Sequence, residues 1–294
     1  MNSRACLCFV LLVATGVAAP LDSARIEQLT GLKGSFNPAK DVFKVTYPRG
    51  DIGAKVEGRA LAPFMGFTSW AAFKAGGKAD AMVMGDLVLQ EDEVNPALSA
   101  ALAAGLQVTA LHNHFLFDSP KVYYMHIEGE GTFDTLAGAV QTTLAASAAM
   151  RTQSAIPAKD FGLGPLPEAN TIDAAALAAI FGQPGQVKEG MAKWVWGREV
   201  TLDCGCKVGA DMGVNTWAAF AGTPANAVVM GDFIVQESEL ASVLKSLRHD
   251  GVYITAIHHH MLGESPRMIF LHYYGRGSAA GLAAAVKAAL GLAH

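Results

Sequence analysis

The sequence is short of cysteine, of charge and of long apolar runs, and each shortage narrows what the chain can be. Its 294 residues hold four cysteines. Cys6 and Cys8 fall in an apolar run behind Arg4, followed by small residues at Gly16, Ala18 and Ala19. That pattern reads as a Sec-type signal peptide over residues 1–18, cut after Ala18 because Pro20 disfavours cleavage beside it. A lipobox cysteine would have to follow the apolar run, and none does. Only Cys204 and Cys206 then remain, too few for a disulfide framework; they read as a CxC disulfide or two free thiols, or as a soft-metal or redox site. No later segment has the roughly 18 apolar residues of a membrane helix, so no integral membrane segment is expected after cleavage. The expectation is a soluble, periplasmic or secreted protein.

Charge is equally restrictive. Charged residues make up 16% and hydrophobic ones 51%, the balance of a well-buried globular protein. The net charge of −4 becomes −5 once Arg4 is removed. With no Lys/Arg cluster, nucleic acid is excluded as the natural partner. Nucleophile elbow, Ser-His-Asp pattern, phosphate loop and dinucleotide fingerprint are all missing, so no nucleotide cofactor is expected.

What is present is repetition. TSWAAF (68–73) matches NTWAAF (215–220), and AMVMGDLVLQEDE (81–93) matches AVVMGDFIVQESE (227–239). ALHNHFLFDSPK (110–121) matches AIHHHMLGESPR (256–267), and YYMHIEGEG (123–131) matches IFLHYYGRG (269–277). The offset holds at 146 residues from His112 to His258 and from His126 to His272. The leading segments 21–31 and 172–182 are also alike. Two copies are therefore expected, at 20–150 and 171–294, joined by a Pro/Gly-rich linker at 151–170.

Periodicity supplies the elements. Short strands are expected at 43–47 and 55–60, mirrored by 193–202, and a third at 81–89 with Gly85 as a bulge or bend. An apolar stripe through Val94, Leu98, Ala101 and Leu102 marks a helix, with Asp92 and Ser238 as matched N-caps and Gly105 and Gly251 after its end. Strands at 108–116 and 253–262, a Ser-Pro turn, a return strand and helices at 132–148 and 279–292 follow. The order ββαββα predicts an α+β unit, an antiparallel sheet with helices on one face. It is a circular permutation of the ferredoxin-like pattern, and the two copies are expected to pack as a pseudo-two-fold pair.

Six of the nine histidines sit at matched positions: His112 with His258, His114 with His260, His126 with His272. Alternate strand residues share a face, so His112 and His114 are neighbours. A hairpin centred on Ser119 would set His126 directly opposite His112, and one centred on Ser265 would do the same for His272 and His258. Three neutral imidazoles suit a divalent metal, zinc first and copper or iron as alternatives, with an open position for water or a small molecule. Asp118 and Glu264, or Glu91 and Glu237, are the candidate catalytic carboxylates. Asp86 and Asp232 read as turn or bulge residues, with orientation of an imidazole as the alternative. Glu93 and Glu239 suit a helix N-terminus through its dipole alone. Met82, Met84 and Met230 are expected in the core, anchored by Trp70 and Trp217. Lys121 and Arg267 read as solvated turn residues or anion contacts.

WAAF, the VMGD strand, EDEVNPAL (91–98), ALHNHF and YYMHIEGEG, with AIHHHM and LHYYGRG in copy two, resemble the LppY/LpqO family of exported bacterial proteins across nearly the whole mature chain. The resemblance implies export and a duplicated unit and supplies no reaction. In copy two, Leu240 to Ser242 replaces the Val-Asn-Pro of copy one. The sequence thus points to an extracytoplasmic metal-binding protein, a metal-dependent hydrolase in one form. The alternative is a non-enzymatic metal- or ligand-binding module of the envelope.

Overall fold

The computed structural model describes residues 21–293; the expected signal peptide lies outside them. Copy one runs α1 (Ser23–Thr30), β1 (Gly34–Asn37), β2 (Val42–Pro48), β3 (Lys55–Val56), β4 (Arg59–Ala60), β5 (Thr68–Ala75), β6 (Ala81–Gln90), α2 (Glu91–Ala103), β7 (Gln107–His112), β8 (Asp118–Ser119), β9 (Val122–Gly131) and α3 (Phe133–Gln153). Copy two runs α4 (Ala174–Phe181), β10 (Gln186–Lys188), β11 (Met191–Gly197), β12 (Val200–Thr201), β13 (Lys207–Val208), β14 (Asn215–Gly222), β15 (Ala227–Gln236), α5 (Glu237–His249), β16 (Tyr253–His258), β17 (Met268–Gly277) and α6 (Ala279–Leu290). The expected α+β duplication is present, and β5-β6-α2-β7-β9-α3 carries the ββαββα order.

Twelve of these strands form one antiparallel sheet, ordered β1-β2-β5-β6-β9-β7-β16-β17-β15-β14-β11-β10. The order reads the same from either end, copy by copy. The pseudo-two-fold axis therefore passes between β7 and β16, where Leu111 faces Ile257. Period-two alternation decides what each face holds. Val83, Leu87 and Met125 of copy one, and Val229, Phe233 and Leu271 of copy two, point to the helices. There they share a core with Val94, Leu98, Leu136, Val140, Leu244 and Val286. Among the described residues the other face carries no α-helix. Small loop sheets cover it at opposite ends in the two copies: β4-β3-β8 over Phe67, Val88 and Tyr124, and β12-β13 over Val214, Ile234 and Phe270.

Several local expectations are corrected. Segment 55–60 is a hairpin of two short strands, turned by Glu57 and Gly58 at positive φ. Segment 193–202 spans two strands, β11 and β12. Gly85 makes no bulge, since the ladder runs unbroken from Trp70–Asp86 to Ala71–Gly85. A glycine is needed there for close approach: a Cβ at Gly85 would lie 2.8 Å from the Trp70 carbonyl oxygen. The bulges fall instead in β7 and β16, between Val108 and Ala110 and between Ile254 and Ala256. Trp70 and Trp217 do not anchor the core. They are half-buried on the open face, beneath Lys44 and Lys193 at 4.1 and 4.5 Å. Trp194 of β11 is the fully buried tryptophan. Met84 and Met230 are about half exposed, because parity sets them on that same open face.

The caps of α2 and α5 also differ from expectation. Gln90 and Gln236 are the N-caps, and Glu93 and Glu239 fold back to accept their backbone N–H groups at 2.9 and 2.8 Å. Glu93 serves more than the helix dipole. Fully buried, it accepts from Arg49 at 2.9 and 3.0 Å, and Arg198 repeats the pairing with Glu239 at 2.6 and 3.1 Å. Asp92 pairs with Arg151 of α3 instead of capping.

Residues that differ between the copies close the seam, and Arg248 of α5 donates to Ser99 of α2 at 3.0 Å. The buried Asn95 side chain donates to the Ile254 carbonyl at 3.1 Å and accepts from its N–H at 2.8 Å, at the bulge in β16. Copy two has Ala241 at the matching position. Asn95→Ala strands both backbone groups of Ile254 and should cost about 1–3 kcal/mol in denaturant unfolding. A change below about 0.5 kcal/mol would show that the seam does not depend on it.

Candidate metal centre

Asp86 and Asp232 sit in mid-strand, and this is what builds the site. Within the ladder Asp86 lies opposite His126 and Asp232 opposite His272, so each carboxylate shares the open face with an imidazole. Neither is a turn or bulge residue, as the sequence had suggested. Both are buried. Each has one oxygen, Oδ1, without a hydrogen-bond partner among the described residues. A buried carboxylate oxygen left unpaired is costly unless a cation or water completes it.

The hairpin register corrects the expected centre of the turn. His126 faces Ala110, and His112 faces Tyr124; likewise His272 faces Ala256 and His258 faces Phe270. The pairing is shifted by two residues from a turn centred on Ser119, because the longer connection leaves the strand at His112. A shift of two keeps side chains on the same face, so the histidines still converge, diagonally. The His112 and His126 rings lie 5.2 Å apart and the His258 and His272 rings 4.7 Å apart. The strands expected at 108–116 and 253–262 end at His112 and His258, which leaves His114 and His260 in the loops beyond. Each returns to the site by stacking: His114 on Tyr124 at 3.3 Å, His260 on Phe270 at 3.5 Å.

In copy two the cluster is tight. Ligand atoms of Asp232, His258 and His272 all lie within 4.8 Å of one another. His260 adds its Nε2 at 3.3 Å from Asp232 Oδ2, and His258 Nε2 is buried without a partner. Donors around a tetrahedral zinc ion at about 2.0–2.1 Å stand about 3.3 Å apart, a gap that small ring rotations close. The matched aspartate–histidine pairs are alike, His126 lying 4.0 Å from Asp86 and His272 3.9 Å from Asp232, and copy one is looser in its histidine rings, 5.2 Å apart against 4.7 Å. Sequence reasoning missed the carboxylate as a prime ligand candidate. The signal was available, since Gly-Asp recurs at the 146-residue offset inside an otherwise apolar strand.

Burial sets the electrostatics. It pushes the Asp232 carboxyl up to about 6, against the pull of His272, and raises Asp86 against that of His126. It holds His258, His260 and His114 below the ordinary imidazole value, which keeps them neutral and able to ligate.

The remaining candidates have other tasks. Asp118 accepts from Lys121 at 2.7 Å and from the Val122 N–H at 2.8 Å, closing the copy-one loop. Glu264 accepts from the Met268 N–H at 3.0 Å in the same place in copy two, and its Oε2 is buried without a partner. Glu91 and Glu237 are exposed in the first turns of α2 and α5, and Glu237 lies 3.6 Å from Arg267. Cys204 and Cys206 are exposed free thiols on the turn between β12 and β13. Among the described residues, no helix is long and apolar enough to cross a membrane.

A family described as Domain of Unknown Function (DUF1259) matches residues 24–146 and again 175–292. The chain belongs to the DUF1259 family. Both matched stretches contain one aspartate and three histidines of the open face, so each DUF1259 copy brings its own cluster. No curated protein and no solved structure matches the chain.

The raised Asp232 value fixes a pH dependence for the metal-free protein. The folded state holds this proton more tightly than the unfolded chain, so its contribution to stability is complete below the ordinary carboxyl value. It is lost as pH rises through about 6. Thermal unfolding in chelator should therefore show wild type losing midpoint temperature between pH 4 and 7 relative to Asp232→Asn. Parallel curves for the two proteins would refute the assignment.

Proposed function

We propose that the chain is an extracytoplasmic metal-binding protein of the LppY/LpqO kind. Its best-formed centre is Asp232, His258 and His272, with His260 able to complete the shell, and a related centre uses Asp86, His112, His114 and His126. One observation carries the reading: Asp232 Oδ1 is buried without a partner while ring nitrogens of His258 and His272 stand within 4.8 Å of its carboxylate. Nitrogen and carboxylate donors suit zinc. A bound zinc ion would supply Lewis acidity and lower the pKa of coordinated water, the chemistry of a metal-dependent hydrolase. The signal-like residues 1–18 and the sequence resemblance to the exported LppY/LpqO family support an extracytoplasmic location.

A second reading, a non-enzymatic metal or ligand carrier, is favoured by the engagement of Asp118. Its carboxylate is held by Lys121 and Val122, so it is not free to act as a base. Turnover of a panel of esters, phosphoesters and peptides by metal-loaded protein separates the two readings, with inert but loaded protein favouring the carrier.

Metal analysis of protein purified without chelator tests the centre itself. Wild type should carry zinc or another divalent ion, and His258→Ala/His272→Ala should lose at least one equivalent while keeping its fold. Equal metal content in the two proteins would eliminate the copy-two centre.

A further inference from the structure

The two clusters face each other across the seam with almost nothing between them. Leu111 and Ile257 are paired, and both point into the helix-side core. Their neighbours Ala110, His112, Ala256 and His258 therefore point to the open face. Antiparallel register around that pair sets Ala110 opposite His258 and Ala256 opposite His112. Adding the other pairings gives two rows across the sheet. One is Trp70, Asp86, His126, Ala110, His258 and Phe270; the other is Trp217, Asp232, His272, Ala256, His112 and Tyr124. Each row runs out of one copy's cluster, over an alanine, and into a histidine of the other. The floor of the seam is methyl groups of half-exposed alanines, and no larger side chain of these rows stands between the clusters.

We infer that the two centres form one bipartite site for a molecule carrying two anionic oxygen groups, one for the metal of each copy, with its middle lying over Ala110 and Ala256. This rests on the metal reading above. Each centre spans three strands, β6-β9-β7 in copy one and β16-β17-β15 in copy two, so their middles stand two to three strand spacings apart, about 10–14 Å. With metal–oxygen bonds of about 2 Å at each end and a C–C rise set by bonds of about 1.5 Å, the span suits a dianion of about six to eight carbons. Pseudo-two-fold symmetry favours a ligand with like groups at both ends. A methyl-lined floor favours an apolar middle, since a polar one would lose water there without gaining a partner.

Titration of the zinc-loaded full chain with α,ω-dicarboxylates from malonate to dodecanedioate, beside acetate, tests this. Once one carboxylate is bound the second binds intramolecularly, so affinity should pass through a maximum at about six to eight carbons and exceed that of acetate at least tenfold. Ala110→Phe/Ala256→Phe should keep two zinc ions per chain and lose the maximum. His112→Ala/His114→Ala should keep the copy-two ion and also lose it. Two bound zinc ions with no chain-length preference would overturn the bipartite site and leave the metal reading standing. One zinc ion, at copy two alone, would overturn it in the same way. Failure to bind zinc at all would remove both.

Discussion

The pairing of β7 with β16 is the contact on which the rest of the structure depends. A six-stranded antiparallel copy ending at β7 would present a central, hydrophobic edge strand to water, a liability that proteins cover or pair. Duplication supplies the matching edge. Once Leu111 and Ile257 are set side by side, the two sheets become one, all helices fall on one face, and the helix-free face is continuous from β1 to β10. Asn95 then reaches across from α2 and satisfies the backbone of Ile254 where the bulge breaks the ladder. A bulge usually leaves such groups to solvent or to a rim. Here it lies at the centre of the molecule, and a side chain from the other copy completes it.

The open face departs from what stability alone would select. Asp86 and Asp232 occupy positions whose strand neighbours are buried and apolar, and each keeps an oxygen without a partner. The buried ion pairs at the ends of the same strands show the contrast. Glu93 is more deeply buried than either aspartate, yet Arg49 and the Gln90 N–H saturate it. At Glu93 the fold thus pairs a buried carboxylate fully where it serves structure. Departures from local consistency of the kind seen at Asp232 mark functional positions.

How much of this the sequence shows follows from period and offset. The duplication, the ββαββα order and the convergence of His112 with His126 depend only on spacing and parity, and a two-residue change of register left them intact. Asp86 was read as a turn because glycine precedes it, yet Gly85 is there for backbone approach inside a straight strand. Met84 and the tryptophans were read as core because apolar residues usually are. Which face of β6 lacks helices is set by how α2 and α3 dock, and that is a property of the whole sheet. Arg49 and Arg198 were invisible as partners of Glu93 and Glu239 because ion-pair geometry across 44 and 41 residues leaves no periodic trace.

The copies are not equivalent, and their differences accumulate in copy two. The linker crosses to its end of the open face, where Phe161 packs on Tyr253 at 4.1 Å, stacks on Tyr274 at 5.2 Å, and Arg276 donates to the Gly164 carbonyl at 2.8 Å. Thr201 and Ser265 exchange backbone hydrogen bonds at 3.1 and 2.8 Å, tying the hairpin that bears Cys204 and Cys206 to the loop beyond His260. Copy one ties its equivalent hairpin through Lys55 and Val56 to Ser119 and Asp118, without a cysteine, and the linker meets this copy at α2, where the Ala158 N–H donates to Asp92 at 2.9 Å. The tighter carboxylate–histidine group is also in copy two. Duplication first provides a paired edge and two like clusters. The later asymmetry closes in the surroundings of one, so that the same residue types at the same offsets stand closer together where the neighbouring loops hold them.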